Sequence, residues 1–388
     1  MKKILLLSFL AFTCCYTKAI QLSDSARITL ITCSPGEELY SAFGHTGIRV
    51  TDYLNEFDVV FNYGTFDFGQ PGFYTNFLKG EMRYMLATDR FDDFKYQYEY
   101  EQRRVVEQEL NLTTEEKKKI FEFLYWNAKK ENREYRYDFF WDNCCTRPRD
   151  VFEKALNGKL QYTYEGFDTS KTMRQTLKPY VAQMPWVDFG FDLILGLPCE
   201  VRATARNQTF LPDKLELLFD HATVNDQPFV TDRKVIIDLP ATPKPYSGIV
   251  PIMVTFLLLM LGIAANVWER FKNTHLWGFD FALFFAAGLF GTFFLCMWLF
   301  TVHYSTPKNL NMLWLLPLHL PVAFILLRKQ KPQWLKYYFI TTFGILVLLI
   351  FGWKWNPQPY NLAVLPLILL LANRALKIFI RFKQEQLQ

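Results

Sequence analysis

The sequence predicts an α+β domain followed by a bundle of five membrane-spanning helices. Two observations indicate this fold class. The composition changes near Gly248: the part before it reads as a soluble domain, and after it apolar runs of about 20 residues, the length that crosses a bilayer, follow one another. Within the first part, segments rich in β-branched residues and segments with helical periodicity both occur.

The N-terminus is typical of a secretory signal. Two lysines precede the apolar stretch 4–12, which is too short to span a bilayer, and mostly small or polar residues then lead to Ala19. We therefore predict a signal peptide over residues 1–19 and an exterior domain over residues 20–237. A lipoprotein signal ending at Cys14 or Cys15 fits less well, because larger residues stand where small ones are expected.

The exterior domain begins with three predicted strands. The segments Arg27–Cys33, 47–51 and 57–63 are rich in β-branched and aromatic residues, which strands favour. Helical periodicity fits residues 74–85, and a capping box at Thr113 predicts a helix that runs to about residue 130.

The second part of the chain has the pattern of a multi-pass membrane domain. A proline-rich linker, residues 238–248, leads to a membrane region, residues 249–380, and a tail of residues 381–388 follows. The five predicted spans are 249–266, 280–302, 312–327, 335–353 and 360–378. The third is short and contains two prolines.

The distribution of basic residues predicts the orientation of these spans. The formal net charge of +5 is too small to indicate a nucleic-acid-binding protein. The segments between and beside the spans form two sets, which face opposite sides of the membrane. One set contains two basic residues, Lys308 and Lys354. The other set contains ten: Arg270, Lys272, Arg328, Lys329, Lys331, Lys336, Arg374, Lys377, Arg381 and Lys383. Because cytoplasmic segments are enriched in Lys and Arg, we predict a multi-pass membrane protein in which the set with ten basic residues faces the cytoplasm and the exterior domain lies outside the cytoplasmic membrane.

A cysteine and a histidine form the candidate catalytic pair. Of the histidines, His45 and His221 fall in the exterior domain, together with four cysteines, and none of these has the spacing of metal ligands. We therefore expect neither a metal nor another cofactor. A thiol that lies beside a base can instead act as a nucleophile.

The surroundings of Cys144 favour it as that nucleophile. Asn143-Cys144-Cys145 leads into a predicted helix that stops near Gly158, and Pro148 is tolerated only in the first turn of such a helix. The start of a helix carries unpaired N–H groups and the positive end of the dipole. That environment lowers the pKa of a thiol and offers donors to an oxyanion.

His45 opens the second predicted strand and is preceded by a glycine, so its ring can be held rigidly. Alternation along the next strand places Asp58 and Asn62 on one side, where either could orient the imidazole. Structural roles are the alternative: an oxidising exterior makes a disulfide plausible for Cys144, and Cys33 with Cys199 is a reasonable structural pair.

The order of these motifs resembles a known family. A histidine in His-x-Gly-Ile-x-Val, residues 45–50, that precedes an Asn-Cys at a helix start resembles the permuted papain-like fold of NlpC/P60 relatives, including the lecithin retinol acyltransferase group. The motifs together with the membrane region more closely resemble the Lnb-type lipoprotein N-acyltransferases. These motifs are Ser34-Pro35-Gly36-Glu37, Phe43-Gly44-His45-Thr46, residues 61–68, Phe77-Leu78-Lys79-Gly80 and Asp142-Asn143-Cys144.

The resemblance implies a thiol acyltransferase of the bacterial cytoplasmic (inner) membrane, with its exterior domain in the periplasm. Cys144 would take an acyl chain from a phospholipid as a thioester, His45 would move the protons, and the chain would pass to the N-terminal amine of a diacylglyceryl-cysteine lipoprotein. Segment 73–85 interleaves aromatic residues with Lys79 and Arg83, which suits a lid or interfacial helix near lipid headgroups. We also expect Tyr63 and Asn143 to contact substrate.

Two other functions stay open on the sequence alone. With the same dyad, water or a peptide amide could be the acceptor, which would make the protein a membrane-tethered cysteine peptidase or amidase that acts on cell-wall peptides. If the cysteines are only structural, the domain would be a non-catalytic binding module of the cell envelope. Replacement of Cys144 by serine separates the three.

Overall fold

The structure is a computed structural model that describes residues 21–239 and 246–385. The predicted signal peptide, residues 240–245 of the predicted linker and residues 386–388 of the predicted tail lie outside these described residues.

The N-terminal domain is α+β, as predicted. Its strands are β1 (Arg27–Cys33), β2 (His45–Asp52), β3 (Phe57–Thr65), β4 (Arg83–Arg90), β5 (Val105–Leu110), β6 (Glu134–Arg136), β7 (Leu160–Tyr162), β8 (Ala222–Val224), β9 (Gln227–Pro228) and β10 (Val230–Ile237). Its helices are α1 (Phe73–Lys79), α2 (Phe91–Tyr100), α3 (Thr114–Asn127), α4 (Thr146–Leu156), α5 (Met173–Val181), α6 (Pro185–Ile194), α7 (Ala205–Gln208) and α8 (Pro212–Asp220).

A seven-stranded antiparallel sheet forms the centre of this domain. Its strand order is β10-β5-β1-β2-β3-β4-β6, and a small three-stranded sheet, β7-β8-β9, lies beside it. Ile28 and Leu30 of β1 face one hydrophobic cluster with helices α3, α4 and α8, whereas Ile31 and Cys33 face a second cluster with α2. The alternation of side chains along β1 therefore buries both faces of the sheet.

The sequence located β1, β2, β3, α1, α3 and α4 and made no prediction for the other elements of this domain. Strand β1 has the predicted bounds, β2 and β3 extend the predicted segments by a few residues, and the capping box between Thr113 and Glu116 is present at the start of α3. The prediction of one helix over residues 74–85 is wrong in its second half: α1 ends at Lys79, and Arg83 already begins β4. Gly80 ends α1 in a left-handed conformation, and from Arg83 onward the backbone pairs with β6 and then β3.

The C-terminal region is helical. It contains α9 (Pro251–Lys272), α10 (Trp277–Phe300), α11 (His319–Leu326), α12 (Trp334–Phe351) and α13 (Leu365–Glu385). Among the described residues, four helices are long and apolar enough to cross a membrane, and they correspond to the first, second, fourth and fifth predicted spans.

The predicted third span is not one continuous helix. Residues 312–327 instead contain the end of a short 3-10 helix, Leu310–Leu313, and the eight-residue helix α11. The backbone between them packs against α10 at Gly291, where a Cβ would lie 1.8 Å from the carbonyl oxygen of Leu315, and Gly288 of α10 lies against the first turn of α11. Irregular backbone is tolerated at membrane depth where protein covers it, and Pro317 removes one donor that a helix would need.

An ion network joins the inner ends of the long helices. The fully buried Arg374 of α13 donates hydrogen bonds of 2.6 to 3.1 Å to Asp280 of α10 and Glu269 of α9, and His275 lies 2.7 Å from Asp280. Glu269, His275 and Asp280 have the geometry of a metal-ligand group. Because Arg374 pairs with both carboxylates and Lys377 lies 3.7 Å from Glu269, we describe the group as an ion-pair network that joins the helices.

The N-terminal domain is seated directly on the helical region. Phe189, Leu193 and Ile194 of α6 pack into the hydrophobic core of the helical bundle. The loop that follows α10 then passes beneath the domain: Asn309 donates to the carbonyl oxygen of Leu193 at 2.6 Å, and Asn311 donates to that of Asp192 at 3.0 Å. The sheet domain is thus fixed against the end of the membrane helices.

Candidate active site

The sheet and one helix start bring His45 and Cys144 together. His45 is the first residue of β2 and pairs with Cys33 of β1, which is at the end of the central sheet. Cys144 stands two residues before α4, whose first turn contains Pro148 as predicted. Gly64 of β3 lies against Cys144, and a Cβ at position 64 would come within 3.2 Å of the Cys144 Cβ. Only a residue without a side chain permits this approach.

Asn143 shapes the backbone that carries the thiol. Its side-chain oxygen accepts hydrogen bonds from the N–H groups of Cys145 (2.9 Å) and Thr146 (3.0 Å), and its amide nitrogen donates to the carbonyl oxygens of Phe139 and Phe210. Asn143 is buried. The prediction that Asn143 contacts substrate is therefore not supported by its position, because its polar atoms are used to start the helix.

The same contacts change the expected source of oxyanion donors. The sequence suggested the free N–H groups at the helix start, but Asn143 already occupies those of Cys145 and Thr146. Within the described residues, the backbone N–H of Cys144 itself makes no hydrogen bond to the protein. Cys144 N–H is thus the donor that the geometry leaves for an oxyanion.

The thiol of Cys144 lies in surroundings that stabilise its thiolate. The hydrogen bond with Cys145, the hydrogen bond and charge of His45, and the backbone N–H of Thr46 hold the pKa of Cys144 well below its ordinary value, although burial acts in the opposite direction. The two adjacent sulfur atoms lie 3.8 Å apart. Cys144 is half-buried as a residue, and its sulfur is not in a disulfide.

Cys145 has the opposite character. It is fully buried, its sulfur lies 3.3 Å from the hydroxyl oxygen of Thr46, and burial followed by the influence of Cys144 raises its pKa well above the ordinary value. Cys145 is therefore a neutral donor to its neighbour.

A hydrogen-bond chain holds the ring of His45 from behind. The Nε2 atom of His45 lies 3.2 Å from the side-chain oxygen of Asn62, and the amide nitrogen of Asn62 donates to a carboxylate oxygen of Asp89 at 2.6 Å. A carboxylate only accepts, so Asp89 fixes which way the Asn62 amide points. The oxygen of Asn62 then faces Nε2, which must carry the proton, and the lone pair of the neutral ring is on Nδ1.

Asp89 is a residue that sequence reasoning missed. It lies on β4, next to β3 in the sheet, and no spacing in the chain connects it with Asn62. The alternative orienter, Asp58, does not face His45. Both of its carboxylate oxygens instead accept from Arg49, each at 2.7 Å.

The three other predicted substrate-binding residues, Tyr63, Lys79 and Arg83, lie in different surroundings. Tyr63 is buried in the core and its hydroxyl donates to Asn127 at 2.7 Å, so the prediction that it contacts substrate is not supported. Lys79 and Arg83 are exposed at the end of α1 and the start of β4. The carbonyl oxygen of Lys79 accepts from Val302 N–H at 2.9 Å, just beyond α10, so both basic residues lie near the end of a membrane helix.

The predicted disulfide between Cys33 and Cys199 is wrong. Both are free thiols, and they lie in separate hydrophobic clusters. Burial raises the pKa of each to about 12, so neither is a reactive thiolate. Cys144 is also free, which leaves its sulfur available for chemistry.

Comparison with known proteins places both halves of the chain in one family. Residues 13–178 match the model of the Lnb N-terminal periplasmic domain, and residues 244–386 match that of the Lnb transmembrane domain. No characterised protein and no solved structure shows significant similarity to the chain. The protein is therefore membrane-embedded with a periplasmic N-terminal domain, and it belongs to the Lnb family, whose lipoprotein N-acyltransferases its motifs resemble.

Proposed function

We propose that the protein moves an acyl chain from a membrane phospholipid, through a thioester on Cys144, to the N-terminal amine of a diacylglyceryl-cysteine lipoprotein. The observation that carries this proposal is the placement of the Cys144 thiol within hydrogen-bonding reach of His45, in a domain seated on the membrane helices. Lipoprotein maturation is the role that the family suggests.

The first half of the reaction forms the acyl-enzyme. The Cys144 thiolate attacks the carbonyl carbon of a phospholipid ester, and the backbone N–H of Cys144 stabilises the oxyanion that results. As the ester C–O bond breaks, the protonated His45 ring gives its Nδ1 proton to the departing lyso-phospholipid oxygen. The products are the Cys144 thioester and a lyso-phospholipid.

The second half transfers the chain to the acceptor. The neutral α-amine of the lipoprotein attacks the thioester carbonyl carbon, and Nδ1 of His45 takes the proton that the nitrogen must lose. The C–S bond breaks, an amide is formed, and the thiolate of Cys144 is restored. The exterior face of the membrane holds both substrates, so one site can serve them in turn.

The proposed topology follows from charge and element order. The last turn of α9 carries Arg270 and Lys272, and the basic residues of the other inner segments lie on the same side by the predicted alternation. This arrangement supports a multi-pass protein of the inner membrane with the dyad on the periplasmic face, where lipoproteins are matured.

Mass spectrometry of a lipoprotein N-terminus tests the proposal. Membranes that contain the wild-type protein should yield triacylated lipoprotein, whereas Cys144→Ala should leave the diacylated form with a free amine. Cys296→Ala, which removes an exposed cysteine of α10, is the matched control and should behave as wild type. An unmodified amine in the presence of the wild-type protein contradicts acyl transfer, and Cys144-dependent cleavage of muropeptides would indicate a peptidase instead.

A further inference from the structure

A row of aromatic rings leads away from the candidate nucleophile. Tyr137 lies beside Cys144: burial, followed by the Cys144 charge, raises the pKa of the Tyr137 hydroxyl. The ring of Tyr137 stacks on that of Tyr84 at a centroid distance of 4.2 Å, and Tyr84 lies 4.9 Å from Phe66. Phe66 follows Gly64, the residue that touches Cys144, by two positions.

Beyond Phe66 the rings reach the surface of the domain. Phe66 contacts Phe68 at 4.8 Å and Phe73 at 5.9 Å, and Phe73 contacts Tyr74 at 5.5 Å. Phe68 is 60 % exposed and Tyr74 is 71 % exposed. We call Tyr137, Tyr84, Phe66, Phe68, Phe73 and Tyr74 the aromatic row. One end of the aromatic row is beside the thiol and the other is open.

The open end lies where a membrane helix ends. His303 donates through Nε2 to the carbonyl oxygen of Phe77 in α1 at 3.0 Å, and Arg136 donates to that of Val302 at 2.6 Å. α10 ends at Phe300, and Val302, His303 and Tyr304 follow within four residues; Tyr304 is 61 % exposed. Exposed aromatic residues at the end of a membrane helix are typical of the boundary between lipid and water. The aromatic row therefore begins at that boundary.

We propose that the aromatic row binds the acyl chain of the donor phospholipid while its ester or thioester carbonyl is at Cys144. The inference rests on the proposed function and adds to it the place where the chain lies. The row is apolar apart from its tyrosine hydroxyls, and its open end lies on α1, which is hydrogen-bonded to the residues just beyond α10, so it suits a hydrocarbon chain better than a headgroup or a peptide. A chain held there stays out of water between the two half-reactions, which protects the thioester from hydrolysis.

Acylation of the purified full-length protein by two donors tests this inference. Vesicles of long-chain phosphatidylethanolamine supply a chain long enough to cover the aromatic row, and a water-soluble acetyl ester supplies one that cannot. The double variant Phe68→Ser and Tyr74→Ser removes two exposed rings and should retain the fold. We expect thioester formation from the long-chain donor to fall at least about tenfold, since each ring contributes roughly the burial energy of an apolar side chain. Formation from the acetyl ester should be unchanged.

The control variant replaces two exposed rings elsewhere on the domain. Tyr96 and Tyr100 of α2 are 70 % and 81 % exposed, and Tyr96→Ser with Tyr100→Ser should leave both rates as in wild type. Equal rates for the Phe68/Tyr74 variant and wild type with the long-chain donor would overturn the aromatic row as the chain site. An equal loss with both donors would also overturn it, because the two rings would then support the site as a whole and not the long acyl chain. If the wild type forms no thioester with either donor, the proposed function itself fails.

Discussion

Cys144 and Cys145 are neighbours in the chain, but their thiols lie in different surroundings. Cys144 is half-buried beside His45, and its pKa is lowered. Cys145 is fully buried against Thr46, and its pKa is raised. When two thiols interact this closely, the first proton is lost from the one with the lower pKa. Cys145 therefore stays protonated and Cys144 becomes the thiolate. The sequence predicted Cys144 as the nucleophile, but it could not assign a role to Cys145, because it does not tell which side chain points into the core.

Replacement of Cys145 by alanine tests this pairing. The variant removes the hydrogen bond that contributes most to the low pKa of Cys144, so that pKa should rise. Iodoacetamide reacts with the thiolate, and the midpoint of its pH–rate profile should therefore lie below about 8.5 in wild type and at higher pH in Cys145→Ala. An unchanged midpoint would show that Cys145 does not donate to Cys144.

The hydrogen-bond chain behind His45 gives a second test at the scale of single residues. In Asp89→Asn, the side chain at position 89 can both donate and accept, so Asn62 is free to turn its amide nitrogen toward His45. An amide donor facing Nε2 disfavours imidazolium, which weakens the partner of the thiolate and should raise the pKa of Cys144. We expect the rate of thioester formation to fall about fivefold to tenfold, which corresponds to the net free energy of one hydrogen bond, with little change in KM.

Asp89 is thus assigned as a positioning residue rather than a catalytic one. Asp89→Glu should restore part of the rate, because it returns an acceptor-only group. If Asp89→Asn reacts with iodoacetamide over the same pH range as wild type, the chain through Asn62 has no role in activating Cys144. His45, Cys144 and Asn62 were all foreseeable from motifs and alternation, whereas Asp89 depends on strand pairing that no local pattern reveals.

At the scale of elements, α1 shows how tertiary pairing overrides a local pattern. Residues 74–85 have helical periodicity, but β4 forms from residue 83 because the central sheet offers it the edge of β3. The third predicted span shows the same effect: its backbone is irregular before α11, where α10 approaches closely at Gly291. Strand β1 and the capped helix α3 were predictable because their local and tertiary preferences agree.

The junction between α1 and α10 can be tested at Gly80. This residue has φ +78°, and a Cβ there would lie 3.0 Å from His303, so Gly80→Ala adds both backbone strain and a clash. Gly158 has φ +83° with nothing within 4 Å, so Gly158→Ala adds strain alone. We expect Gly80→Ala to lower the Tm about 2–4 °C more than Gly158→Ala, since each 1 kcal/mol corresponds to such a shift.

The comparison of these two glycine variants isolates the contact with His303. Equal losses of Tm would mean that α1 does not rest on the end of α10. In that case the open end of the aromatic row would have no fixed place at the membrane boundary.

On the scale of the whole molecule, a small polar cluster fixes the periplasmic domain to the membrane helices. Asn311 is fully buried, donates to the carbonyl oxygens of Asp192 and Leu193, and accepts from the indole N–H of Trp314. Asn309 also accepts from Gln358 at 3.0 Å. The sequence predicted two regions joined by a stiff linker, but it gave no sign of the contacts between them, because Asn311 lies 119 residues from Asp192 and 118 from Leu193.

Asn311→Ala should loosen this junction. The change leaves buried carbonyl and indole groups without partners, at a cost of about 1–3 kcal/mol for each group. Hydrogen–deuterium exchange should therefore increase across α6, which rests on the loop after α10, and Lys354→Ala on an exposed turn should have no such effect. Unchanged exchange in α6 would show that α6 is held by its apolar contacts alone.

The thioester on Cys144 is the central claim, and peptide mass spectrometry tests it most directly. The full-length protein is incubated with long-chain phospholipid without an acceptor lipoprotein, digested, and fragmented to separate Cys144 from Cys145. The account predicts a mass increase of one acyl chain on Cys144 that neutral hydroxylamine removes. An acyl chain on Cys145, or lipoprotein N-acylation that proceeds with no acyl chain on either cysteine, would contradict it.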